Sequence, residues 1–99
     1  MEYEVPHEKK YTIYSKSGCP NCIKAKKLLV LEKPEIVDCD EYLIEDKEDF
    51  LSYMQTLAKV ECRTFPMIFK NGKFIGGYAE LEKFYKEEQK NKNDFPDVF

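Results

Sequence analysis

The sequence predicts an α/β domain, a four-stranded mixed sheet with helices on both faces, in the order β-α-β-α-β-β-α. Three observations predict it. A short β-rich run at Tyr11–Ser15 gives way to a helix-patterned stretch and then to a second β-rich run at residues 35–39. A strand–helix–strand unit of this length implies parallel pairing with a right-handed crossover. Further on, Asn71-Gly72 stands between two apolar runs, the strongest short hairpin signal. Helically spaced apolar residues then recur on both sides of that hairpin.

Taken in order, residues 1–10 are polar and without periodicity, and read as an N-terminal extension that frays. His7 lies there and reads as a surface residue. Tyr11–Ser15 is a buried central strand, short and rich in β-formers. Gly18 permits the turn after it. Pro20 suits the first turn of a helix, where its missing N–H is not needed. That helix runs over residues 20–32, with Cys22, Ala25, Leu28 and Leu29 on one face and lysines largely on the other. Lys33-Pro34 ends it.

Residues 35–39 form the second strand. An acidic turn from Asp40 to Asp49 then leads to a second helix, in which Phe50, Leu51, Met54, Leu57 and Ala58 keep helical spacing. Asp46 and Asp49 resemble a capping arrangement at its start. The hairpin pairs residues 66–70 with residues 73–75. Gly76-Gly77 turns the chain into a third helix over residues 78–90, with Leu81, Phe84 and Tyr85 as its apolar stripe. Glu82 and Lys86 make a favourable i, i+4 pair on it. The domain so defined spans residues 11–92, and residues 93–99, with Asn, Asp and Pro, read as a tail.

Composition narrows the function classes. A chain of 99 residues, 42% apolar and 35% charged, holds one domain with one core. No run of about 18 apolar residues exists to cross a membrane as a helix. The first ten residues carry no apolar signal-peptide core, so a cytoplasmic location is expected. The net charge of −3 gives no global support for nucleic-acid or anionic-membrane binding. The charge is uneven all the same. Lys16, Lys24, Lys26 and Lys27 surround two cysteines, while residues 38–49 are strongly acidic. For Lys24, Lys26 and Lys27 a solvated helix face explains the pattern equally well. Lys16, three residues before Cys19, reads more readily as functional.

The four cysteines are spaced C-x2-C-x16-C-x22-C. A zinc site needs a second close pair or a histidine pair. Here Cys39 and Cys62 stand apart, and His7 is the single histidine. A structural disulfide between Cys19 and Cys22 is a poor staple, because stabilisation by a cross-link grows with the loop it closes. Such a bond suits breaking and reforming. A free thiol of pKa about 8.5 is only roughly 3% ionised at pH 7, and the thiolate is the nucleophile. Cys19 falls just ahead of the first turn of the first helix, where unpaired N–H groups and the helix dipole favour negative charge. Lys16 adds a nearby cation. Cys22 falls one turn inside, on the apolar face. The two thiols are therefore unequal: an exposed, acidic Cys19 attacks and a buried Cys22 resolves.

With these residues the chain resembles the dithiol glutaredoxins, members of the thioredoxin fold. The resemblance covers residues 11–90. It rests on Cys19-Pro20-Asn21-Cys22, Arg63-Thr64-Phe65-Pro66 and Gly76-Gly77-Tyr78-Ala79-Glu80, each at the junction of two elements. It implies a glutathione-dependent thiol–disulfide oxidoreductase with glutathione as co-substrate and no metal. It implies that the peptide bond before Pro66 is cis, and that the backbone of Phe65 pairs with the cysteine of glutathione. It implies that the amides of Ala79 and Glu80, beside Gly77, receive the γ-glutamyl carboxylate at a helix N-terminus. Lys16 matches the family lysine that meets the glycine carboxylate. Arg63 either does similar work or pairs with an acidic neighbour. Asn21 and Thr64 complete the implied contacts.

Three positions depart from the family pattern. Asn21 stands where Tyr is common, Phe65 where Val is common, and Glu80 where Asp is usual. The implied partners are glutathionylated or disulfide-containing proteins, ribonucleotide reductase among them, met by a monomer. Two rival functions stay open at this point. One is a thioredoxin-like electron donor served by a thioredoxin reductase. The other is a glutathione-ligated iron–sulfur carrier, for which Pro20 is an unfavourable residue. Cys62 reads as a half-buried thiol or a regulatory one, and Cys39 as packing.

Overall fold

A computed structural model describes residues 2–93. The sheet has strands β1 (Tyr11–Ser15), β2 (Glu35–Asp38), β3 (Met67–Lys70) and β4 (Lys73–Gly76), in the spatial order β2-β1-β3-β4. β1 pairs parallel with β2 and antiparallel with β3, and β3 pairs antiparallel with β4. The helices are α1 (Pro20–Leu28), α2 (Asp40–Glu45), α3 (Lys47–Ala58) and α4 (Tyr78–Asn93). A 3-10 turn at Val30–Glu32 follows α1.

Every residue of β1 is buried, because the strand is central and both of its faces are covered. Alternation along it sends Tyr11 and Ile13 to one side and Tyr14 to the other. On the first side Tyr11 and Ile13 pack with Ala25 and Leu29 of the α1 segment, with Ile68, and with Leu81 of α4. On the second, Tyr14 packs with Val37, Met67 and Phe69 and with Phe50, Leu51 and Met54 of α3. The predicted mixed sheet with helices on both faces is the observed one. Ile13 and Ile68 face each other across β1 and β3, both without exposed surface. Burying a side chain of this kind stabilises by roughly 1.5–3 kcal/mol. The hairpin turn has Asn71 at φ 53° and Gly72 at φ 83°, the pair of positive angles that an Asn-Gly turn between twisted strands requires.

Three expectations are corrected. First, the helix predicted over residues 20–32 is α-helical only to Leu28. It tightens into the 3-10 turn, and Lys33 at φ 52° ends it ahead of Pro34. Second, most of the acidic turn predicted over residues 40–49 is helical, with α2 filling Asp40–Glu45. Asp46 separates α2 from α3: its N–H bonds to Tyr42 O at 2.8 Å while its own carbonyl accepts from Phe50 N at 2.9 Å, with φ −154° and ψ 46°. Asp46 and Asp49 do not cap α3 with their side chains. Both accept from the hydroxyl of Tyr3, at 2.8 and 2.5 Å.

Third, the extension is anchored rather than frayed. The Tyr3 ring sits 5.1 Å from Tyr42, 5.2 Å from Phe50 and 5.1 Å from Tyr53. Tyr14 donates to Glu4 O at 2.7 Å, and His7 N donates to Thr12 Oγ1 at 2.9 Å. Periodicity did not reveal this, because the segment docks as an irregular strap with one aromatic anchor. His7 itself is exposed, as expected. Most of the predicted tail, residues 94–99, lies outside the described residues.

Candidate active site

Cys19 is the N-cap of α1, with extended backbone at φ −122° and ψ 97°, and Pro20 follows as the first helical residue. The Cys19 sulfur accepts the N–H of Cys22 at 3.1 Å, so an otherwise unpaired amide of the first turn points at it. Cys19 and Cys22 are joined by a disulfide with Cα atoms 5.2 Å apart, well inside the usual range. Gly18, at φ +66° with open space around it, supplies the left-handed turn that delivers Cys19 to the helix tip.

Cys22 is 1% exposed, as its place on the apolar face predicts. Cys19 is 7% exposed, so the expectation of an exposed sulfur is corrected for this disulfide form. Its sulfur is covered by its bond to Cys22 and by the first turn. Pro20 and Asn21, between the two cysteines, are exposed.

The loop leading to Cys19 is held by Asp40, which the sequence reading did not single out. Asp40 accepts from Ser17 N at 2.8 Å and also from the Ser17 hydroxyl. These two hydrogen bonds hold its carboxyl below the ordinary carboxylate range, with help from Lys16 and Lys26. Cys39, just before it, donates its N–H to Ser15 O at 2.8 Å and so ties the ends of β1 and β2 together. The signal for Asp40 was weak, one acid within an acidic run. Lys16 is exposed, with its ammonium 5.7 Å from the centre of the Phe65 ring.

The Phe65–Pro66 peptide bond is cis, as the resemblance implies. Tyr14 pairs with Met67, so Pro66 falls beside Ser15, at the end of β1 where the cysteine loop begins. Pro66 is buried and Phe65 half-buried. A groove of about 540 Å³ opens beside them, lined in part by Cys62, Arg63, Thr64, Pro66, Gly77 and Glu80. Five of the implied contacts, Arg63, Thr64, Pro66, Gly77 and Glu80, therefore share one surface. Ala79 is exposed on the first turn of α4, and its amide and that of Glu80 lie in the turn whose N–H groups have no helical partner.

Two of those residues already have partners. Arg63 donates to both carboxylate oxygens of Glu48, at 3.2 and 3.0 Å, which is the acidic-neighbour role. Glu80 reaches back to accept from Gly77 N at 2.9 Å, the return half of a capping box at α4. The longer Glu, in place of Asp, thus lies across the helix end. Gly76 lies under it at φ +139°, where a Cβ would meet Glu80 Cβ at 2.7 Å.

The other two thiols are of a different kind. Cys39 has no exposed surface, and burial pushes its pKa up to about 12. Cys62 lines the groove half-buried, and burial raises it as well.

A comparison with known proteins matches this arrangement. The Glutaredoxin family model matches residues 11–75, from the start of β1 into β4. Glutaredoxin-C4 of Arabidopsis thaliana is 38% identical over 80 residues, covering 78% of this chain and 56% of that protein. A glutaredoxin of Haemophilus influenzae is 31% identical over 78 residues, covering 77% of this chain and 90% of that protein. Glutaredoxin 1 of Francisella tularensis superposes with a TM-score of 0.69 at 26% identity, over 81% of this chain and 95% of that one. A dithiolic glutaredoxin of Trypanosoma brucei brucei gives 0.63 at 32% identity, over 85% and 84%. The chain spans 56%, 54% and 34% of the length of the first three curated relatives, so those proteins carry more than the shared domain. With the family model covering well over half of the sequence, and the cysteine pair at the tip of α1, this chain belongs to the glutaredoxin family and has its thioredoxin-like fold.

Proposed function

We propose that the protein is a thiol–disulfide oxidoreductase that takes its electrons from glutathione. The observation that carries this is the Cys19 sulfur at the N-cap of α1, receiving a backbone N–H and bonded to a buried partner one turn away. The same amide and helix dipole favour a thiolate once the bond is reduced.

For a glutathionylated protein, the Cys19 thiolate attacks the glutathione sulfur. A Cys19–glutathione disulfide forms, and the protein thiolate leaves and takes a proton from solvent. A second glutathione thiolate then attacks that disulfide, releases glutathione disulfide and restores Cys19. For a protein disulfide, Cys19 forms the mixed disulfide and Cys22 displaces the reduced protein. This leaves the Cys19–Cys22 disulfide for two glutathiones to reduce. The glutathionyl group fits the groove beside cis-Pro66, with the Phe65 backbone, Thr64 and the amides of Ala79 and Glu80 as its contacts. Lys16 and Asn21 stand on the cysteine side. Arg63 contributes while remaining paired with Glu48.

The test is a coupled assay with each electron source. Glutathione with glutathione reductase should support reduction of a small glutathione mixed disulfide, and thioredoxin reductase should not. The reverse result assigns the protein to the thioredoxin-like electron donors and overturns the proposal.

A further inference from the structure

The outward face of α1 and the 3-10 turn after it is apolar and basic, and it begins at the cysteines. The buried side of this segment is Cys22, Ala25 and Leu29. At about 100° per residue the opposite side presents Pro20, Ile23, Lys24, Lys27, Val30 and Leu31. Among the described residues, nothing covers that side. Ile23 is 54% exposed, Val30 64% and Leu31 86%, the most exposed large apolar side chain among the described residues. No acid occurs in α1, and Lys24 and Lys27 both lie on this face, in a chain whose net charge is −3; Glu32 of the 3-10 turn accepts from the Tyr85 hydroxyl instead. Lys24 is held at the active-site end, its ammonium 5.9 Å from the centre of the Tyr78 ring. From Pro20 to Leu31 the face runs about 16 Å.

We infer that this face docks protein substrates, and that it selects those whose disulfide is flanked by acidic residues with an apolar side chain among them. The inference rests on the oxidoreductase reading above and names its substrate class. Charge complementarity fixes the partner's sign: Lys24 and Lys27, with no acid beside them in α1, attract carboxylates and slow basic partners. Continuity fixes what the partner brings, because a chain lying along this face ends at Cys19. The apolar residues fix its nature as protein, since Leu31 and Val30 offer apolar area to a partner side chain. A nucleic acid would need more cations than this face holds. In the proposed mechanism small glutathione disulfides use the groove beside cis-Pro66, whose lining includes no residue of α1, and do not need the face. The chemical step is unchanged: Cys19 attacks the substrate disulfide, Cys22 displaces the reduced peptide, and glutathione returns two electrons.

The test uses two synthetic peptides with the same intramolecular disulfide, one flanked by Asp, Glu and Leu and the other by Lys, Arg and Leu. With the wild-type protein at low salt, kcat/KM for the acidic peptide should exceed that for the basic one about tenfold, and the ratio should shrink in salt. Lys27→Glu with Leu31→Asp should abolish or reverse that ratio, and Lys27→Arg should preserve it. All variants should reduce a small glutathione mixed disulfide at the wild-type rate, which also shows that they fold. Equal rates for the two peptides, alongside normal turnover of the small disulfide, overturn the docking inference alone. Loss of turnover of the small disulfide by the wild type overturns the oxidoreductase reading itself. Sedimentation with phosphatidylserine-containing vesicles, abolished by the same double substitution, would assign the face to a membrane surface and overturn the inference.

Discussion

Cys19, Cys22, Cys39 and Cys62 share a functional group and differ only in surroundings. Cys19 caps α1 with a first-turn N–H on its sulfur, whereas burial, with the carboxylates of Asp38 and Asp40 beside it, outweighs a backbone hydrogen bond from Ser15 and pushes the Cys39 thiol up to about 12. In the reduced protein, iodoacetamide near pH 7 should therefore label Cys19 first, Cys62 slowly and Cys39 only on unfolding. Equal labelling of Cys19 and Cys62 would contradict the account. The raised Cys39 pKa also has a consequence for stability. The neutral thiol is the folded form, so its contribution is complete below the unfolded pKa of about 8.5 and is lost as pH climbs from there toward 12. The neighbouring glycines differ just as sharply. An alanine at Gly76 meets Glu80 at 2.7 Å from a backbone at φ +139°, whereas one at Gly77 finds its nearest atom at 3.5 Å. Gly76→Ala should lower stability by about 1–3 kcal/mol in chemical denaturation. Gly77→Ala should leave stability nearly unchanged and weaken glutathione-dependent turnover, because its methyl group enters the groove. Equal stability loss at both positions would count against this geometry.

Between residues and fold stand the elements, and here legibility was uneven. The strands, the hairpin and the helix that starts at Pro20 were readable because each has a local cause. Those causes are the β-forming run Tyr11–Ser15, the Asn71-Gly72 turn, and a proline at the first helical position. The break at Asp46 and the docking of Tyr3 were not readable, because both are long-range. The carboxylates that looked like a local cap serve a hydroxyl 43 and 46 residues away. Arg63 was legible only as a choice, and the acid it pairs with, Glu48, lies 15 residues away. Asp40 was hidden for the same reason, since its partner Ser17 lies across the β1–β2 unit. Tyr3 gives a test at this scale. Burial and two carboxylate partners push its phenol above the ordinary tyrosine range, so its neutral form belongs to the folded state. Its contribution is present below pH about 10 and is lost as the pH rises beyond that. Tyr3→Ala should lower Tm by circular dichroism at pH 7, and the difference from wild type should narrow above pH 10. An unchanged Tm would show that the strap does not support α2 and α3.

At the scale of the whole molecule, the two apolar cores flank one sheet, and the chemistry gathers at the end of β1. The Cys19 loop, the cis Phe65–Pro66 bond and the start of α4 come from three distant stretches of sequence, each at the end of a regular element. That is why the cysteine pair could be read from sequence at once, while the groove beside it took shape only through the pairing of β1 with β3 and β3 with β4. The lysines of α1 and the acids of residues 38–49 give the molecule a polar asymmetry that one net charge conceals. The central claim is that two unequal thiols divide the work. It is tested most directly by glutathione-dependent reduction of a small glutathione mixed disulfide with wild type, Cys19→Ser and Cys22→Ser. The account predicts turnover by wild type and by Cys22→Ser, and none above background for Cys19→Ser. Activity retained by Cys19→Ser, or lost in Cys22→Ser, would contradict it.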